Sequence, residues 1–176
     1  MSRQNRAVTP VVSTILMVAV VVVLAATTSV FFFDVTEDIN EAAPVVGQTS
    51  GEFEPGADVQ RVRITHIAGE SIPAEELEVV VRASGPDVDA DARLVNLPEF
   101  DEEKDPENII SFFYKEIESN DPNTWNVGDT IQFEINVVGA DFREPPVNDN
   151  PDADELTVLI VHTPSEAVIV RKTFIP

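Results

Sequence analysis

His66 and His162 are the only two histidines in the chain. Each falls inside or at the end of a β-patterned run. A shared metal site would rest on two isolated residues without ligand spacing, against the ordinary reading of two sheet positions. The alternating residues Asp87, Asp89 and Asp91, and Asn150, Asp152 and Asp154, match the first half of a calcium-loop pattern. Both runs lack the glycine at the sixth position, and Pro98 and Val161 stand at the twelfth, where a bidentate glutamate is required. They read as solvated acidic loops. No Gly-x-Ser-x-Gly elbow, phosphate-cradling loop or dinucleotide fingerprint occurs. With 32 acids present, some carboxylate pair comes close in any fold, so such a pair does not by itself indicate hydrolysis. The absence of cysteine removes disulfides, thiolate metal sites, cysteine nucleophiles and a lipid-modified cysteine anchor in one step. The expectation is a chain that is not an enzyme, with no metal site and no cofactor.

The charge is segregated. Residues 1–33 carry Arg3 and Arg6 and no acid; all 32 acids begin at Asp34, against nine basic residues from there on, a balance of 9 − 32 = −23. Such a surface repels nucleic acid and anionic lipid, so no nucleic-acid partner is expected. With only three lysines (Lys104, Lys115, Lys172), it stays hydrated where salt is high and self-repulsion is screened, which points to a salt-loving source. A merely acidic extracellular domain is the plainer reading. No asparagine is followed two positions later by serine or threonine, so N-glycosylation is not expected.

The elements that would position these residues begin with Val11–Phe33, 23 residues without a charge, broken only by Ser13, Thr14, Thr27, Thr28 and Ser29 among its polar positions. As a helix it would rise about 35 Å, enough to cross a bilayer core of roughly 30 Å. Its fifteen Val, Ile, Leu, Met and Phe residues would each cost about 1.5–3 kcal/mol in water, so lipid or protein must cover them. Pro10 fits the first turn of such a helix. Arg3 and Arg6 before the run and Asp34, Glu37 and Asp38 after it place the N-terminus in the cytoplasm and the acidic bulk outside. Three readings compete: a cleaved secretory signal ending near Ala25-Ala26, a permanent single-span anchor, and an assembly helix.

The third reading comes from resemblance. Arg6-Ala7-Val8-Thr9-Pro10-Val11-Val12, followed by Ile15-Leu16-Met17-Val18, resembles the N-terminal signature of the haloarchaeal type IV pilins, which typically reads Arg-Ala-Val-Ser-Pro-Val-Ile-Gly before an Ile-Leu-Met-Val stretch. Thr9, Val12 and Ser13 depart from that pattern. The resemblance implies a prepilin signal, residues 1–7, cut by a membrane aspartyl peptidase, with Arg6 as the basic residue, Ala7 as the small residue before the cut and Val8 as the new N-terminus. It implies residues 8–40 as a transmembrane and filament-core helix, and as partners identical or related pilin subunits, the prepilin peptidase, and the pilus assembly platform with its ATPase. The chain would sit in the cell membrane before assembly and in an extracellular surface filament, supporting adhesion, after it. Ala19, Ala25, Ala26 and Ser29 are the candidate helix-packing residues, Ala25 and Ser29 having the i,i+4 spacing that lets helices approach closely. The alternative is a single-span membrane-anchored surface protein with a binding domain.

Residues 41–58, with Pro44, Gly47, Gly51, Pro55 and Gly56, read as a linker. Beyond it, Ile131, Phe133, Ile135 and Val137 alternate with polar residues in a half-buried strand pattern. Similar runs occur at 59–67, 76–82, 109–117, 156–162 and 167–175, with a short one at 93–97. The fold class expected is α+β: one long N-terminal apolar helix followed by an all-β, immunoglobulin-like antiparallel sandwich over residues 59–176. The stretches Thr65-His66-Ile67-Ala68-Gly69-Glu70 and Trp125-Asn126-Val127-Gly128-Asp129 are also similar to elements of the exported domains of these pilins.

Overall fold

The computed structural model describes the backbone of residues 5–37, 42–56 and 59–176, with the side chains of 5–10, 28–37, 103, 112 and 113 outside the description. The chain divides into two compact units, Met1–Asn40 and Glu41–Pro176. The first contains one helix, α1, Asn5–Glu37. The expected helix is there, but it starts earlier than the sequence suggests. Pro10 therefore lies in its second turn and not its first, where it has no N–H to offer the carbonyl of Arg6.

The second unit is antiparallel sheet. Its strands are β1 (Val46–Pro55), β2 (Gln60–Gly69), β3 (Ile72–Pro73), β4 (Leu77–Ser84), β5 (Asp89–Val95) and β6 (Asp101–Glu103), then β7 (Ile110–Glu118), β8 (Thr124–Trp125), β9 (Thr130–Ile135), β10 (Glu155–His162) and β11 (Ala167–Phe174). They form a four-stranded sheet in the order β1-β2-β9-β7, a five-stranded sheet in the order β11-β10-β4-β5-β6, and the small pair β3-β8. In β4 and β10 the alternation that marked the runs in sequence is the alternation of burial, whereas β9, expected to be half-buried, is buried at all six positions because it is a central strand whose polar side chains are covered as well. In β4, Leu77, Val79, Val81 and Ala83 are buried while Glu78, Val80, Arg82 and Ser84 face out. In β10, Leu156, Val158, Ile160 and His162 are buried. These inner faces meet Val62, Ile64, Ile131, Phe133 and Ile135 of the four-stranded sheet in one apolar core, giving a two-sheet, sandwich-like domain. Trp125, Phe100 and Phe133 are its largest fully buried side chains.

Two of the three lysines link the two sheets where the sandwich would otherwise open. At one side Lys172 of β11 donates through Nζ to the Thr49 carbonyl of β1 at 2.7 Å, beside Phe53 and Phe174, whose rings are 5.8 Å apart. At the other, Lys115 of β7 pairs with Glu102 of β6, both side chains mostly buried.

The linker expected at 41–58 is corrected by β1, which occupies most of it and pairs with β2 from Val46↔Gly69 to Pro55↔Gln60. The domain therefore starts before residue 59. The glycines and proline that read as breakers are compatible with an edge strand. Pro55 closes it, and Gly51 lies where an added Cβ would come within 3.0 Å of Lys172 and Phe174. The signal was present in Glu52-Phe53-Glu54, where only Phe53 packs against the core.

Candidate functional site: the N-terminal helix and the clamp of the β domain

Helix α1 carries the residues singled out by sequence. Arg6, Ala7 and Val8 lie in its first turn, with their side chains outside the described residues. Every described side chain from Val11 to Thr27 is exposed, including Ile15 at 64%, Met17 at 70% and Val22 at 60%. Ala19, Ala25 and Ala26 are among them, and the side chain of Ser29 is outside the description. At about 100° per residue, these four small residues fall within an arc of about 120° on one side of the helix. The polar residues of the run are accommodated locally: Thr14 Oγ1 donates to the Val11 carbonyl at 2.9 Å, and Thr27 Oγ1 to the Leu24 carbonyl at 2.9 Å. Hydroxyls satisfied within their own helix add little cost in an apolar setting. Among the described residues no helix is long and apolar enough to cross a membrane. The described side chains of α1 end at Thr27, a rise of about 25 Å from Val11, while the uncharged sequence continues to Phe33.

The two histidines lie in different sheets with different neighbours. His66 of β2 is fully buried, its ring tilted 30° over Trp125 at 4.6 Å, and neither ring nitrogen has a hydrogen-bond partner. Gly69 closes over it: its φ is +145°, and a Cβ there would stand 2.9 Å from His66 Nε2 and 2.6 Å from the Val45 carbonyl. His162, at the end of β10, has Nδ1 2.7 Å from Ser165 Oγ and Nε2 3.2 Å from Glu76 Oε2. Among the described residues no group of three His, Asp or Glu side chains is arranged to hold a metal ion. The two stretches noted above do meet in space. The His66 N–H donates to the Asp129 carbonyl at 3.0 Å and the Gly128 N–H to the His66 carbonyl at 2.7 Å, while Trp125 Nε1 donates to the Asp129 carbonyl at 3.3 Å.

A polar cluster that the sequence did not announce organises the loop between β9 and β10. Asp141 is fully buried. Its carboxylate accepts from Arg143 Nε at 2.7 Å, Arg143 Nη2 at 2.6 Å, the Arg143 N–H at 3.2 Å, the Val147 N–H at 3.0 Å and Asn150 Nδ2 at 3.3 Å. Burial by itself would raise its pKa. The Arg143 guanidinium and the backbone and Asn150 donors outweigh that and hold the carboxyl well below the usual carboxylate range. The buried Gln60 of β2 brackets the same residue, donating to the Ala140 carbonyl at 2.6 Å and accepting from the Phe142 N–H at 2.8 Å. Asn150, read as part of a solvated acidic loop, is thus a member of this clamp. The cluster fixes a long loop to the sheet.

With the helix and domain described, comparison with known proteins adds one finding. The sequence model of the family described as "Archaeal Type IV pilin, N-terminal" matches residues 6–47. No curated protein matches the chain. The match opens at Arg6, one residue past the start of α1, and takes in the whole of the uncharged run. Residues 6–47 therefore carry the N-terminal region of the archaeal type IV pilins.

Proposed function

We propose that this chain is the structural subunit of a type IV pilus filament, with no catalytic activity of its own. In this reading a prepilin peptidase cuts after Ala7, the assembly platform and its ATPase extract the chain from the membrane, and its helix packs among those of identical or related subunits. The β domain, immunoglobulin-like in this proposal, is carried outward to support adhesion. The observation that carries the proposal is the coincidence of the family match with a helix whose described side chains are all exposed. The described side chains from Val11 to Thr27, mostly aliphatic and all exposed, need a cover, and lipid before assembly and other helices after it supply one without passing through water.

Removal of Arg3 and Arg6 suits this route, because charges at the N-terminus hold a span at the headgroups. Pro10 favours the cut as well. Its missing N–H leaves the Arg6 carbonyl without its helical donor, loosening the turn that contains the Ala7–Val8 bond. The acidic exported domain would remain hydrated and screened from its neighbours in strong salt.

The alternative is a single-span surface protein whose helix stays in lipid. Shearing cells of the native host and pelleting the released material separates the two. The pilin reading expects this chain, in filaments, as a main component of the sheared fraction. Its retention in the membrane pellet alone would favour the anchor.

A further inference from the structure

Exposed aliphatic side chains of the β domain gather at the end where the chain enters the first strand. β2 leaves the sheet there with Ile67 facing solvent, and the Gly128 N–H, donating to the His66 carbonyl at 2.7 Å, sets Val127 alongside it. Val45 meets the same strand end. Its carbonyl accepts from the Glu70 N–H at 3.0 Å, and its own N–H donates to Glu70 Oε2 at 2.7 Å. Val45 is 65%, Ile67 42% and Val127 53% exposed, and the small Ala42, Ala43 and Ala68 next to them are bare as well. Single exposed aliphatics are ordinary, but a group of them at one strand end marks a contact surface.

The charges around this patch are engaged or set back. Residues 42–51 carry none. The nearest acids are held by backbone donors, Glu70 by the Val45 N–H and Asp129 by the Asn126 N–H, 2.8 Å from its Oδ2. Further along, Glu118 is paired with Arg63 at 3.2 Å, and Asp121 accepts from the Asn123 N–H at 3.2 Å. With Glu41 just ahead in sequence, this end is net acidic like the rest of the domain, so the patch suits an uncharged partner and not a charged one. The other aliphatic surface differs. On the outer side of the five-stranded sheet Val80 stands beside Leu159 and Leu159 beside Arg171, with Arg93 next to Val80 and Arg82 opposite Asp91, so charges of both signs interrupt it.

We infer that the patch of Val45, Ile67 and Val127 docks on the uncharged stretch of α1 in a second copy of this chain. The inference rests on the filament reading and names a head-to-helix contact within it. Two observations select this occupant. Residues 11–33 are by far the longest stretch of the chain without charge, so they are the part of another copy that an acidic domain does not repel. The described side chains from Val11 to Thr27 are also all exposed, and at about 100° per residue they cover the whole circumference of α1. Contacts between helices cover the sides that face other helices; the sides of the outer helices that face away from the bundle are left to the β domains. Chain length allows the contact. Residues 38–44 separate Glu37, the last of α1, from Val45, a reach of at most about 30 Å, while packed helices lie about 8–10 Å apart. A contact between two different patches is heterologous and, unless its rotation closes a ring, propagates as a helical filament.

The cysteine-free sequence makes the test direct. Cells of the native host co-express two full-length variants, Ile67→Cys and a second with one cysteine placed at each of residues 24–33 in turn, and sheared filaments are treated with a short bis-maleimide. A dimer joining the two variants, identified by the mass of its cross-linked peptides, is intermolecular by construction. The inference predicts such dimers at helix positions that share one side of α1. Intact mixed filaments that yield none at any position, or that link Ile67→Cys only to itself, would overturn it. An Ile67→Glu/Val127→Glu variant should yield at least tenfold fewer sheared filaments while the chain stays in the membrane fraction with its wild-type unfolding midpoint in detergent, and Ile67→Leu/Val127→Leu should match wild type. Normal filament abundance from the glutamate variant also overturns the inference. If wild-type cells carry no filaments containing this chain, the pilin reading itself fails, which is a distinct outcome from filaments that do not cross-link.

Discussion

Replacing Asp141 by asparagine lowers the stability of the β domain by about 2–4 kcal/mol, because a buried carboxylate that accepts from the Arg143 guanidinium, two backbone N–H groups and Asn150 loses its charge and one acceptor oxygen. With total stabilities of about 5–15 kcal/mol for a domain of this kind, that is a large share. Arg143 retains only 16% side-chain exposure beside a fully buried carboxylate. An amide also presents one acceptor oxygen where the carboxylate presents two, so the Val147 N–H and the guanidinium compete for it. The pH dependence follows from the lowered pKa. Asp141 contributes its full stabilisation above the ordinary carboxylate value of 3.8 and loses it as pH falls toward its depressed folded value. Denaturant unfolding of the detergent-solubilised full chain in strong salt should show the variant far weaker than wild type at neutral pH, the gap narrowing once pH drops below about 4. A gap that stays constant through the acid range would remove Asp141's charge from the account.

Val22→Asp should abolish filaments while leaving the chain in the membrane. On insertion scales one aspartate at the centre of a span costs about 2.5–3.5 kcal/mol, which a run this rich in Val, Leu and Phe can absorb. In a filament core the same carboxylate would be buried among helices whose residues 11–33 carry no basic side chain, the mature α-amino group at Val8 lying about 21 Å away along its own helix. An unpaired buried charge costs several kcal/mol per subunit, or about a hundredfold or more in the assembly equilibrium. The sheared fraction should therefore lose the chain and the membrane fraction keep it, with Val22→Leu behaving as wild type. Filaments at normal abundance from Val22→Asp would show that this face of the helix is not packed in the core.

How much of this was legible in the sequence depends on where each signal lies. Thr130–Ile135 was readable because its alternation is a local property, and β2, β4, β10 and β11 likewise followed from period-2 runs. β1 was hidden. Its glycines and proline are the residues of a linker, and what makes them a strand is β2 beside it and Lys172 and Phe174 packed over Gly51, none of which is local. The short β6 was equally invisible, since three acidic residues become a strand only through pairing with Arg93–Val95. The Asp141 clamp joins Gln60 to a loop 80 or more positions away, and no spacing rule reaches that far; the nearby Asp141-x-Arg143 was its only local trace. The outward side of the five-stranded sheet was half visible. Alternation shows which residues face out, but only the strand order shows that Leu159 lies between Val80 and Arg171. The helix was the easiest element to read, because a long charge-free run admits few alternatives, although its start was misplaced by taking Pro10 as the first turn.

The central claim is that residues 1–7 are a signal removed to release an assembly helix. The mass of the N-terminal peptide of the mature protein, isolated from the native host, tests it most directly. The account predicts a start at Val8. A peptide beginning at Met1 or Ser2, with Arg3 and Arg6 retained, would contradict it and leave a membrane anchor, and one beginning beyond Ala25 would make the β domain a secreted protein.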